Sequence, residues 1–120
     1  MVDGRVLKDG TKDDKEKIRL DLLPFDAIEE IGRVYTIGAR KYEDRNWEKG
    51  IKYMRIVGAI LRHLIAWVRG DTFDPENGQR HSAAVAWNAI ALVAYELRGM
   101  DAWDDRPIQQ TARAEGENDQ

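Results

Sequence analysis

Between Arg55 and Arg98 the chain reads RIVGAILRHLIAWVRGDTFDPENGQRHSAAVAWNAIALVAYELR. Two long apolar segments flank a short acidic loop, a pattern that leaves a helical hairpin as the natural outcome. At about 100° per residue, His63 falls in the middle of the first segment's apolar face. Ile56, Ala59, Ile60 and Trp67 surround it there. On the second segment His81, Ala84, Asn88, Leu92 and Tyr95 share one stripe, and the loop between carries Asp71, Asp74 and Glu76. Imidazoles, a carboxamide and carboxylates placed where packing residues belong point to a site as well as a core.

The first of these helices is expected over Lys52–Arg69, with Arg55, Gly58, Arg62 and Arg69 on its polar face. The second is expected over Gln79–Arg98, closed by Gly99 at its C-terminal end. It is apolar nearly all round, and such a helix is buried on all sides. In a chain with so few helices that requires packing against another subunit. The alanines at 83, 84, 86, 89, 91 and 94 permit close approach of helix axes.

Residues 1–18 read as a flexible charged arm, followed by Arg19-Leu20-Asp21-Leu22-Leu23-Pro24, which is apolar enough to dock. Pro24 suits a helix's first turn and Asp21 its cap. That helix continues through Tyr42, with Ala27, Ile28, Ile31, Val34, Tyr35 and Gly38 on its apolar face. Glu29 points to solvent, whereas Glu30 sits at the edge of the apolar face, one turn beyond Asp26, so that both carboxylates can face one point. The alternative for Asp26 and Glu29 is simple complementarity to the helix dipole. The polar loop from Lys41 to Gly50 offers Arg45, Asn46 and Trp47 as a cation, an amide and a stacking surface, or else a capped turn with Trp47 anchored in the core. Trp103 is apolar enough to dock after Gly99, and residues 104–120 read as a disordered tail.

With 19 basic and 22 acidic residues the net charge is −3, which gives no basic footprint for nucleic acid. There is no cysteine, so disulfides and thiolate metal sites are excluded. No apolar run reaches the roughly 18 residues of a membrane span, because Arg62, His63 and Arg69 interrupt the best candidate. No signal-peptide core opens the chain. These features predict a soluble cytoplasmic protein, with no partner among nucleic acids or membranes.

Carboxylates beside neutral imidazoles suit Mg²⁺ or Mn²⁺, and two histidines with a carboxylate also suit Zn²⁺ or Fe²⁺. Against this, the histidines can be core hydrogen-bonding residues, and Asp74-Pro75-Glu76-Asn77-Gly78 makes a good turn. Gly38, Gly50 and Gly58 are scattered and form no phosphate loop. Phosphates would therefore be held by metal ions and by Lys17, Arg19, Lys41 and Arg45. Ser82 lacks the context of a nucleophile.

The segments KIRLDLLPFDAIEEIGRVYTIGARKYEDRNWEKG and LRHLIAWVRGDTFDPENGQRHSAAVAWNAIAL together resemble the MazG-like nucleotide pyrophosphohydrolases of the phage dATP/dGTP diphosphohydrolase, or MazZ-like, type. The combination of RLDLLP, GARKY, DRNW, RHL and an acidic loop before a histidine helix carries the likeness. It implies an all-α helical bundle over residues 19–103, with its core completed by assembly into a dimer or tetramer. It also implies hydrolysis of a purine (deoxy)nucleoside triphosphate, dGTP, GTP or dATP, to monophosphate and pyrophosphate with Mg²⁺ or Mn²⁺. For a phage-encoded protein the compartment would be the bacterial host's cytoplasm.

One departure matters. The wider MazG superfamily carries an EExxE helix and an ExxD helix, but Arg33 and Val34 follow Glu29-Glu30 here, and Arg55–Arg69 contains no carboxylate. The expected catalytic residues are therefore Glu30, His63, Asp74 and His81. Metal is expected from Asp26, Glu29, Glu30, Asp71, Asp74 and Glu76. Substrate is expected on Lys17, Arg19, Lys41, Tyr42, Arg45, Asn46, Trp47 and Asn88. The competing readings are a Zn²⁺- or Fe²⁺-dependent phosphohydrolase and a non-catalytic helical oligomer.

Overall fold

The computed structural model describes residues 7–108 and is all-α. Helix α1 spans Phe25–Lys41, α2 spans Tyr53–Val68 and α3 spans His81–Leu97, with short 3-10 turns before α1 (Leu20–Leu22), between α1 and α2 (Asn46–Lys49) and after α3 (Asp101–Trp103). The two long apolar segments thus form the expected hairpin, with ends only one or two residues from those the periodicity suggests. α3 is the central element, packing chiefly on α2 and also on α1.

Both arms of the hairpin stop in the same way. Gly70 (φ 99°) and Gly99 (φ 64°) take the left-handed conformation that glycine adopts without a Cβ penalty. Beyond them, Asp71 N–H donates to the Ala66 carbonyl and Met100 N–H to the Tyr95 carbonyl, which closes the last turn of each helix.

The starts are less conventional. Asp21 does not cap α1. It lies in the preceding 3-10 turn, held by two 2.8 Å bonds from Arg19. α3 likewise has no side-chain cap; instead His81 N–H donates to the Thr72 carbonyl of the returning loop at 3.0 Å. α2 is capped from far along the chain, where Met54 N–H donates to Asp105 Oδ1 at 2.8 Å. Asp105 belongs to the stretch expected to be the disordered tail, so residues 104–106 form part of the fold. Residues 109–120, the remainder of that expectation, and residues 1–6 of the arm lie outside the described residues. Residues 7–18 form neither helix nor strand and are exposed.

The core is small and aromatic. Tyr53, Ile56, Ala91 and Tyr95 are buried together, with Trp47, Ile60 and Trp103 packed around them. Tyr95 is fully enclosed. Its ring stacks on Tyr53 with centroids 5.9 Å apart, and its hydroxyl donates to the Trp47 carbonyl at 2.5 Å. A buried phenol needs such a partner to offset its desolvation. Trp103 docks as expected, against Gly50 (φ 107°), where a Cβ would collide with the indole.

The expectation that α3 is buried all round does not hold within one chain. Ile90, Val93 and Leu97 stay exposed, as do Leu61, Leu64, Ile65 and Val68 along one stripe of α2. No helix among the described residues is long and apolar enough to cross a membrane.

Candidate active site

The loop joining α2 to α3 folds back on itself and fixes the acidic residues. Phe73 and Arg80 form an isolated antiparallel bridge, and Asp74 N–H donates to the Gln79 carbonyl at 2.6 Å. The turn expected from DPENG is present. Gly78 N–H donates to the Asp74 carbonyl at 2.7 Å, and Glu76 N–H to Asp74 Oδ1 at 2.9 Å. The Asp74 carboxylate is thereby carried back over the hairpin, toward the face that bears the histidines.

His63, midway along α2, and His81, the first residue of α3, bring their Nδ1 atoms to 2.9 Å. The rings are tilted at 47° with centroids 5.2 Å apart. His63, Asp74 and His81 each offer one ligand atom, all within 4.8 Å of one another. Burial pushes the His63 pKa below its ordinary value. The neighbouring His81 and Arg62 push the same way, and Asp74 opposes them. His63 is therefore a neutral imidazole at neutral pH, with a lone pair to give. Two imidazole nitrogens and a carboxylate are a donor set that fits a divalent cation.

This cluster lies in an open cleft of 1460 Å³ that runs between the C-terminal half of α1, the 42–48 loop, α2 and α3. Of the residues expected to bind substrate, Lys41, Tyr42, Arg45, Asn46, Trp47 and Asn88 all line it, and so does Glu76. Asn88 is buried and its Nδ2 donates to the Ala84 carbonyl at 2.8 Å, which leaves Oδ1 for the cleft. Trp47 is anchored as well as exposed to the cleft. It packs edge-on to Tyr35 at 6.3 Å, tilts against Tyr95 and carries the Arg98 guanidinium over its ring. Tyr42 is the freer aromatic surface, being 64% exposed. Arg45 holds a left-handed backbone (φ 58°) that non-glycine residues rarely adopt, and pairs with Glu48 at 3.1 Å.

Three further cations line the cleft and were not among the expected substrate residues: Arg55, Arg62 and Arg98. Arg98 is paired with Glu48 at 3.5 Å. Among the described residues, Arg55 and Arg62 have no ion pair. Arg62 lies back over Gly58, where a Cβ would come within 3.2 Å of its guanidinium. A signal was present in the sequence. A helix without a carboxylate gives its arginines no partner at i±3 or i±4.

The other expected residues lie elsewhere. Glu30 forms ion pairs with Arg33 at 3.2 Å and Arg80 at 3.7 Å. With Asp26 it lines a separate shallow groove between α1 and α3. Asp26 and Glu30 thus share a surface, as their spacing suggests, but not with the histidines. Glu29 faces solvent, Asp71 is exposed at the end of α2, and Lys17 and Arg19 are exposed ahead of α1.

The fold and site define a class: an all-α domain that presents a His–Asp–His cluster in an open cleft lined by charged residues of both signs. Residues 8–106 match the family described as "dATP/dGTP diphosphohydrolase, N-terminal", and the chain belongs to that family. It is 33% identical over 97 residues to a dATP/dGTP diphosphohydrolase of Salmonella phage PMBT28, an alignment covering 81% of this chain and 33% of the phage protein. The chain thus spans about a third of the length of that curated relative. No solved structure matches it.

Proposed function

We propose that this domain hydrolyses a purine (deoxy)nucleoside triphosphate, dGTP, GTP or dATP, to its monophosphate and pyrophosphate, with Mg²⁺ or Mn²⁺. The observation that carries the reading is the meeting of His63, Asp74 and His81 in a cleft that Arg55 and Arg62 also line, two arginines with no ion pair among the described residues. The family and the phage relative's name supply the substrate class. The reaction class is MazG-like, but the ligands come from a histidine hairpin and not from paired carboxylate helices.

His63, Asp74 and His81 would hold the cation, which when bound neutralises phosphate charge and acidifies a water. Arg55 and Arg62 bind the phosphate chain from α2, and Lys41 and Arg45 bind it from the opposite side. Glu76, on the loop beside Asp74, takes the proton from the attacking water. The water oxygen bonds to the α-phosphorus as the bond from that phosphorus to the α–β bridging oxygen breaks, and pyrophosphate departs along the arginines. Tyr42 stacks on the base, while Asn46 and Asn88 orient the nucleoside. Glu30, Asp26, Glu29 and Asp71 have no part in this chemistry.

We further propose self-association. The exposed stripes Leu61–Leu64–Ile65–Val68 and Ile90–Val93–Leu97 are apolar surfaces of the kind that mark interfaces.

The test is release of pyrophosphate from the four dNTPs and GTP, with Mg²⁺, with Mn²⁺ and with EDTA. Conversion of a purine triphosphate to its monophosphate, abolished by EDTA, is the expected result. No release from any nucleotide would overturn the reading in favour of a non-catalytic helical oligomer.

A further inference from the structure

We infer that His63, Asp74 and His81 form a nitrogen-rich centre for a first-row transition-metal dication, one that holds Mn²⁺, Fe²⁺, Co²⁺ or Zn²⁺ in preference to Mg²⁺. This deepens the hydrolase reading and rests on it only for the role of the ion.

The argument starts from donor chemistry. Mg²⁺ is a hard cation that takes oxygen ligands and keeps its waters. Imidazole nitrogen suits the transition metals, and two histidines with one carboxylate are a recurrent open set for them. Here two of the three protein donors are nitrogen, and Asp74 gives the one carboxylate.

Placement agrees with the donor chemistry. The two Nδ1 atoms stand 2.9 Å apart, and His63, Asp74 and His81 all line the cleft, so that an ion held there is open to substrate.

The competing account is a plain hydrogen bond between the two rings. It satisfies one nitrogen of each ring and leaves the Asp74 carboxylate, which the loop turn brings beside them, without a cationic partner among the described residues. Neither histidine belongs to the apolar cluster of Tyr53, Ile56, Ala91 and Tyr95 that holds the hairpin together. Both imidazoles line the cleft, His81 while itself buried.

The experiment uses the full chain, stripped with EDTA and desalted. Co²⁺ is titrated in and followed by its visible absorption, and Mg²⁺ is then added as competitor. We expect one Co²⁺ per chain, not displaced by about a thousandfold excess of Mg²⁺. His63→Gln, at a partly buried position, and Asp74→Asn, on the loop, should each weaken Co²⁺ binding by at least about 100-fold, with circular dichroism confirming that both remain folded. Displacement by equimolar Mg²⁺, or equal Co²⁺ binding by parent and His63→Gln, would overturn the inference. Pyrophosphate release in the same preparations separates the two proposals. Tight, His63-dependent Co²⁺ binding without turnover of any nucleotide upholds the centre and removes the hydrolase reading. Mg²⁺-supported turnover that survives His63→Gln removes the centre and leaves the hydrolase standing.

Discussion

Two concave surfaces flank α3, and they treat charge in opposite ways. In the shallow groove against α1, Glu30 lies between Arg33 and Arg80, so its charge is met within the protein. In the large cleft against α2, Arg55 and Arg62 have no ion pair among the described residues, and two imidazoles and Asp74 sit beside them. Glu30 in the groove is met by two guanidiniums, whereas the cleft leaves two guanidiniums open to an anion and a His–Asp–His cluster open to a cation. A nucleotide with its divalent ion is such a pair. A carboxylate on a helix edge is thus a poor guide to a site until its counter-charges are known.

The largest expected effect follows from removing a cluster donor. Asp74→Asn should lower kcat for pyrophosphate release by at least about 100-fold, since even an outer-shell partner matters that much at a metal centre. Retained turnover would erase the distinction between cleft and groove. Next come the arginines. Arg62→Ala and Arg55→Ala should each reduce kcat/KM about 10- to 100-fold, as expected for a hydrogen bond to a charged group of about 1.5–3 kcal/mol. The melting temperature should hardly move, because neither side chain has an ion pair among the described residues. A large fall in melting temperature would show that they are structural after all.

A third effect is on stability against pH, measured in EDTA. Burial depresses the folded-state pKa of His63 below the 6.5 of a free imidazole. As pH falls below 6.5, the unfolded chain takes up this proton more readily than the folded one, so stability must fall with it. The loss levels off once pH passes the folded pKa. Urea midpoints at pH 7 and pH 5 should show this for the parent and less of it for His63→Gln; an equal drop in both would assign the effect elsewhere. The smallest effect belongs to the groove. Glu30→Gln should leave kcat within about two-fold and cost at most about 1 kcal/mol, the range of exposed ion pairs. A collapse of turnover in this variant would return Glu30 to the metal.

Much of this arrangement was legible in the sequence because it obeys helical periodicity. The stripe His81–Ala84–Asn88–Leu92–Tyr95 and the placing of His63 follow from spacing alone, and so do the helix ends at Gly70 and Gly99. What spacing does not reveal is which side chains meet across space. Asp26 and Glu30 share a face of α1, as read from the wheel, but the wheel says nothing of Arg80 waiting on α3. Asp21 is a good cap by residue type, yet Arg19 two positions away holds it. The Asp105 cap of α2 spans 51 positions and has no local signature at all.

The aromatic chain Trp87–Tyr35–Trp47–Tyr95–Tyr53, with successive ring centroids 5.9 to 6.3 Å apart, has an optical consequence. Trp47 and Trp87 both line the cleft, while Trp67 and Trp103 do not. Excitation absorbed by the buried tyrosines passes to neighbouring indoles, the two in the cleft and Trp103 beside the core, so the interior of the protein gathers light in part for its own site. Occupancy of the cleft is therefore written into the intrinsic emission, and the protein needs no attached dye to report it.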